Sequence, residues 1–248
     1  MFTLGLPAYA NVAPLAHFLR PEGFAVKTAV PTELNRSLLA GEMGLSLVSS
    51  AFFLEHKDRL SLLPGFGVAV LGKVHSVNLF ANKPLQEVRR VALTTESATS
   101  VRLLRLLLGE REYRREAGGL ELLGPYDAVL LIGDRAIRAY FEAKEKGVFV
   151  LDLAEAWYQK TRLPFVFAVF AYPKASPPPA GVVEELKRAR KEGIARLGEV
   201  ARREADRLLV PEEFLLEYLW NFRYHLDEPD RDGLIAFSRA LGLGDELF

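Results

Sequence analysis

Near the start of the chain, GLPAYANVAPL (5–15) sets a phenol, Tyr9, and a carboxamide, Asn11, between Pro7 and Pro14. Asn and Pro are ordinary turn residues, but a loop at the carboxyl end of a first strand is also where open α/β sheets gather their ligand sites. TTESATSVRLLRLLL (94–108) places Ser97, Thr99 and Ser100 at the start of a helical pattern. A hydroxyl there caps the helix, and the positive end of the helix dipole attracts an anion. A cap without any ligand accounts for the same letters. SLVSSAFF (46–53) repeats the arrangement with Ser49 and Ser50. Two such helix starts facing one cleft would suit a ligand with two carboxylates.

VHSVNLF (74–80) brings His75, Ser76 and Asn78 to the mouth of a strand. Alternate strand residues share a face, so Ser76 and Asn78 are expected to point together and His75 away, which argues against a Ser–His catalytic pair. Asp134, in LLIGDRAI (130–137), follows another strand and reads as a helix cap or as a carboxylate facing a site. Trp157 and the run FVFAVF (165–170) could wall a cleft, although aromatic residues so spaced are usually core.

Other chemistries lack their signatures. The four histidines, at 17, 56, 75 and 225, fall into no HExxH or similar ligand spacing. There is no GxSxG elbow, no P-loop and no GxGxxG, so neither metal nor nucleotide cofactor is expected. With no cysteine, disulfides and thiolate metal sites are out of reach. Lys plus Arg and Asp plus Glu are 32 each, without the basic excess of a nucleic-acid binder. No span approaches the ~20 apolar residues of a membrane helix and no signal-peptide pattern opens the chain, so a cytoplasmic location is expected.

The elements that would position these groups follow from periodicity. Short runs such as FTLGL (2–6), MGLSLVSS (43–50), VRRVALT (88–94), the first part of DAVLLIGDRAI (127–137) and PFVFAVFAY (164–172) read as strands. Helical patterns alternate with them, and from Val182 onward the chain is charged and helical. The class is α/β with a helical C-terminus. Strand ends followed by proline near 78–84 and 169–179 look like crossovers between two lobes around a cleft. They would give one lobe of residues 1–80 plus 172–248 and a second of 81–171.

In combination these segments resemble a known family. PAYANVAPL is similar to a motif of the form S-Y-x-N-x-x-P-L, and PTELNRSLLAGEMGLSLVSSAFFL, VHSVNLF, LTTESATSVRLLRLLL, AVLLIGDRAI, DLAEAWYQKTRLPFVFAVFA and EYLWNFRYHL follow in that family's order. The family is the chorismate dehydratases of the futalosine route to menaquinone. Pro7–Ala8 departs from the Ser of the first motif, and Arg162 stands where a Gly would be usual.

The resemblance implies a periplasmic-binding-protein-like type II fold, with two α/β lobes joined by a two-strand hinge around a ligand cleft. It implies that chorismate loses water to give 3-[(1-carboxyvinyl)oxy]benzoate without a cofactor. It carries Asn11 and Ser76 as the catalytic-site polar residues. Tyr9, Ser49, Ser50, Ser97, Thr99 and Ser100 are the substrate-binding candidates. Two alternatives stay open: a non-catalytic binding module for a small anionic metabolite, and the later pathway enzyme that cleaves cyclic dehypoxanthine futalosine. Oligomeric state is not legible.

Overall fold

Apolar runs too short to be helices, punctuated by Gly and Pro, become strands, and the patterns between them become the helices that cover them. A computed structural model describes residues 1–247. β1 (Phe2–Leu6) runs into the loop Pro7–Val12 and the short helix α1 (Ala13–Ala16). Then come β2 (Phe24–Thr28), α2 (Pro31–Leu39), β3 (Leu45–Ser49), α3 (Ser50–Glu55) and the long β4 (Leu60–Val70). The next strands are β5 (Val77–Ala81) and β6 (Arg90–Leu93), followed by α4 (Ala98–Leu108) and β7 (Glu112–Arg115). β8 (Ala128–Ile132), α5 (Gly133–Lys146), β9 (Phe149–Asp152) and α6 (Leu153–Thr161) complete that stretch. β10 (Phe165–Pro173) leads to α7 (Ala180–Ala195), α8 (Leu197–Leu208), α9 (Glu212–Trp220), the two-residue β11 (Phe222–Arg223) and α10 (Glu228–Ala240).

These strands form two sheets. The first has the order β11-β4-β10-β3-β1-β2, the second β7-β6-β8-β5-β9. β1 pairs in parallel with β2 and β3, and β6 with β7 and β8, whereas β10 and β5 run antiparallel to their neighbours. The carboxyl ends of β1, β3, β6 and β8 therefore all carry loops of the kind that hold ligands in open α/β sheets.

β8 shows how the sequence sorts itself. Leu130 and Ile132 join the large core shared by the two sheets, while Val129 and Leu131 pack on the opposite face with Phe80 and Ala136. The period-2 alternation fills both faces, so the strand is an unbroken apolar run.

The changeovers between sheets lie elsewhere than the prolines suggested. β5 belongs to the second sheet and β10 to the first, so the division at 80/81 and 171/172 puts each of them on the wrong side. The chain crosses between Val70 and Val77, where Gly72 and His75 take positive φ (93° and 58°), and returns through α6 and Pro164. Pro84 merely precedes a single 3-10 turn, and Pro173 ends β10 opposite Leu60. Asp152 ties the two crossings together. Its Oδ2 accepts from the N–H groups of Val74 (2.9 Å) and His75 (2.7 Å), and its Oδ1 from those of Ala154 and Glu155. Burial pushes this carboxyl up from its ordinary value, and the backbone donors work against that shift.

Candidate functional site

The loop after β1 is shaped by what its residues lack. Pro7 has no N–H to extend the ladder, and Ala10–Val12 close a 3-10 turn in which Val12 N–H donates to Tyr9 O (2.9 Å). Pro14 sits in the first turn of α1. Tyr9 then reaches across to the second sheet, its hydroxyl donating to Glu96 Oε2 (2.7 Å). Burial, and next the Glu96 carboxylate, push the Tyr9 phenol far up, so it is a neutral donor at any ordinary pH. Asn11 is half-buried, and its enclosed Oδ1 accepts no hydrogen bond from the protein. Such an atom costs about 1–3 kcal/mol when nothing satisfies it. The fold tolerates it at the wall of a cavity.

That cavity, about 60 Å³, lies between the two sheets. Its polar wall is Tyr9, Asn11, Ser49, Ser76, Ser97 and Ser100; its apolar wall includes Val12, Leu47, Val68, Val77 and Phe167. No charged side chain lines it. Positive potential comes instead from helix starts: α4 begins at Ala98 and α5 at Gly133, both beside cavity residues. Hydroxyls, an amide and two helix dipoles make a site suited to an anion that also carries neutral polar groups.

Each hydroxyl is held from behind. Ser76 Oγ accepts from the hydroxyl of Tyr218 on α9 (2.9 Å), leaving its own hydrogen free to donate elsewhere. Burial raises the Tyr218 phenol far above its usual range, so the donor stays protonated. Ser49 Oγ accepts from Asn35 Nδ2 (3.2 Å) on α2. Ser97 is the N-cap of α4: its Oγ accepts from Ser100 N–H (3.1 Å) and donates to Ser100 Oγ (3.0 Å).

Two of the expected binding residues do not line the cavity. Ser50 donates to Val166 O (2.6 Å), and Thr99 Oγ1 accepts from Ala51 N–H (2.9 Å) while lying 3.3 Å from Ser50 Oγ. Because the single hydrogen of Ser50 is committed to Val166, Thr99 must be the donor between the two hydroxyls. Both side chains are consumed in a seam between α3, α4 and β10 rather than presented to a ligand.

The strand-face expectation at 74–80 also fails. His75 adopts a left-handed backbone conformation and β5 begins only at Val77, so strict alternation does not extend back to Ser76. Ser76 enters the cavity, whereas Asn78 turns to His75, donating from Nδ2 to His75 O (2.7 Å). Asp134 is not a cap: α5 is preceded by Ile132, and Asp134 Oδ1 accepts from Ala10 N–H (2.9 Å). Trp157 is core, packed edge-on against Phe165 and Phe237, while Phe167 and Ala168 do line the cavity.

Sequence reasoning missed Glu96, Asn35 and Tyr218. Only Glu96 had a local signal, a lone acid among the small hydroxyl residues of TTESATS. Among the described residues no group of three or more His, Asp or Glu side chains could hold a metal ion.

The two sheets, the chain crossing twice between them and a cavity at their strand ends define a periplasmic-binding-protein-like fold. A solved structure from Archaeoglobus fulgidus shares it at TM-score 0.76 and 18% identity, covering 97% of both chains. The periplasmic aliphatic sulphonate binding protein of Escherichia coli does so at 0.64 and 14% identity, covering 98% of this chain and 90% of its own. Residues 2–242 match a family described as "Menaquinone biosynthesis". A chorismate dehydratase of Thermus thermophilus is 60% identical over an alignment covering 98% of this chain and 96% of its own. The chain belongs to this menaquinone-biosynthesis family.

Proposed function

We infer that the protein is a chorismate dehydratase, removing water from chorismate to give 3-[(1-carboxyvinyl)oxy]benzoate. The 60% identity to a chorismate dehydratase, spanning nearly both chains, carries this conclusion. The finer placement, a cytoplasmic enzyme of the futalosine route, rests on the sequence resemblance. No helix among the described residues is long and apolar enough to cross a membrane.

The reaction asks little of side-chain acidity. Loss of the ring proton beside the enol ether, together with the neighbouring hydroxyl, creates an aromatic ring, so the product itself supplies much of the driving force. The enzyme's part is to hold one conformer in a closed site. In this reading Asn11 hydrogen-bonds the substrate beside the departing hydroxyl, and the unpartnered Oδ1 supports that role. Ser76, with its hydrogen left free by Tyr218, assists orientation. Ser100, which accepts from Ser97 and keeps its own hydrogen, receives one carboxylate at the start of α4, with Ser97 holding it in place, and Ser49 is the polar contact on the opposite sheet. Tyr9 closes the wall. A carboxamide is far too weak a base to take the ring proton near neutral pH; the enolpyruvyl carboxylate of the substrate takes it instead, within the conformer the cavity imposes.

Incubating the purified protein with chorismate, followed by chromatography and mass, tests this. A product lighter by one water with an aromatic spectrum is expected. Chorismate recovered intact from a folded protein would refute it, and consumption of cyclic dehypoxanthine futalosine instead would identify the later pathway enzyme.

A further inference from the structure

Asn11 makes no hydrogen bond from its Oδ1 to the protein, so its direction is set by the backbone that carries it. That backbone is a single 3-10 turn, whose internal bonds are few. Besides the Tyr9–Glu96 contact, two anchors hold it, one on each side of Asn11. Before it, Ala10 N–H donates to Asp134 Oδ1 (2.9 Å), on the first turn of α5. After it, His17, which closes α1, meets Glu204 Oε1 through Nε2 (2.8 Å). Arg207 joins the two anchors from α8: Nη1 lies 2.7 Å from Asp134 Oδ2 and Nη2 2.5 Å from Glu204 Oε2. Asp134, Arg207, Glu204 and His17 thus form one continuous chain of charged and hydrogen-bonding groups. It starts in the helix after β8, passes through α8 and ends on the loop's far side. None of the four lines the cavity.

We propose that Asp134 is a positioning residue for the dehydration: it fixes the turn that aims Asn11, and the Arg207–Glu204–His17 relay fixes Asp134 in turn. The proposal rests on the role given above to Asn11. Binding of the substrate uses several other groups, so the loss falls on turnover rather than on affinity. A displacement of about 1 Å in a reacting geometry costs on the order of 100-fold in rate. Loosening one anchor among several is a smaller disturbance.

The test is a kinetic cycle on chorismate with Asp134→Ala, Asp134→Asn, Asn11→Ala and the double variant Asp134→Ala/Asn11→Ala. Asp134→Ala is expected to lower kcat about tenfold with KM within about threefold. Asp134→Asn, which keeps an acceptor for Ala10 N–H, should recover most of that loss. It also serves if the alanine variant does not fold. In the Asn11→Ala background, Asp134→Ala should lower kcat no further, because the residue acts through Asn11. Equal losses in both backgrounds, or a drop in melting temperature with kcat unchanged, would overturn the positioning role while leaving that of Asn11 intact. Wild-type turnover by Asn11→Ala would remove the assignment of Asn11 itself, and this inference with it.

Discussion

Two parts of the molecule are built from the same kind of small polar side chain and end with opposite properties. In the seam between α3, α4 and β10, Ser50 and Thr99 satisfy each other, a carbonyl and a backbone N–H, and nothing is left to offer. One position along on the same helix starts, Ser49 and Ser100 line the cavity, as does Asn11 with its unpartnered Oδ1. The difference lies in which neighbours burial supplies. A hydroxyl whose donors and acceptors are all met stabilises the fold; one left with a free valence at a cavity wall can serve a ligand, at a cost in stability. The adjacent pairs Ser49–Ser50 and Thr99–Ser100 divide along that line.

Breaking the seam tests one half of this contrast. Thr99→Val keeps the shape but orphans Ala51 N–H and removes the donor to Ser50, so a loss of about 2 kcal/mol is expected. For a chain of this size that lowers the melting temperature by about 4–8 °C, while kcat per folded molecule stays within a few-fold. Collapse of kcat without loss of stability would place Thr99 in the site after all.

Ser76 stands between the two cases, because it lines the cavity and is also held by Tyr218. Tyr218→Phe removes the donor behind it and frees the Ser76 hydroxyl to rotate. A loss of about 1 kcal/mol in stability is expected, together with a several-fold fall in kcat. A variant altered in stability alone would assign the pair to the seam type.

Asp127, far from either region, is a saturated group that should behave like the seam. Lys83 (2.8 Å), then the N–H groups of Arg90 and Arg89, hold its carboxyl at about 2, against an ordinary 3.8. A depressed pKa stabilises the folded state once pH exceeds the unfolded value, and the gain is lost as pH falls through the folded one. Denaturant titrations should therefore find Asp127→Asn weaker than the parent above about pH 4, with the gap closing towards pH 2. A gap independent of pH would show that charge is not its source.

The smallest effect is expected at Arg162, which caps α6 with a left-handed backbone (φ 61°) where the resemblance had suggested Gly. Arg162→Gly relieves a penalty of roughly 1–2 kcal/mol. It also gives up the guanidinium contact over the Tyr158 ring at 5.6 Å, so the net gain should stay below about 1 kcal/mol. A destabilised variant would mean that the side-chain contact outweighs the backbone strain.

The strands and the family were legible because their signal is local. AVLLI followed by Gly133 can hardly be other than a buried strand ending in a turn, and the spaced motifs fall in a recognisable order. The changeovers between sheets were misread because proline marks the end of a strand, not the sheet it belongs to. Within β4, Pro64 and Gly65 are tolerated because β11 covers only the Ala69–Val70 end and the register with β10 shifts between Val169 and Ala171. All six polar residues of the cavity wall were among the candidates, yet the sequence could not separate Ser49 from Ser50, or Ser100 from Thr99. A cap and a ligand contact require the same side chain, and the deciding partners, Asn35, Val166 O and Ala51 N–H, lie 14, 116 and 48 positions away. Asp134 and Tyr218 act through residues more than a hundred positions distant, where no local pattern can point.

On this reading the unsatisfied Oδ1 of Asn11 serves the reaction and not the fold, and Asn11→Ala is the sharpest check of it. Its kcat on chorismate and its melting temperature should be measured side by side. A fall of about 100-fold in kcat is expected, the scale for losing one group that stabilises a transition state. The melting temperature should be unchanged or slightly raised, because an unpaired buried oxygen has gone. Undiminished turnover, or a loss of activity explained wholly by unfolding, would contradict it.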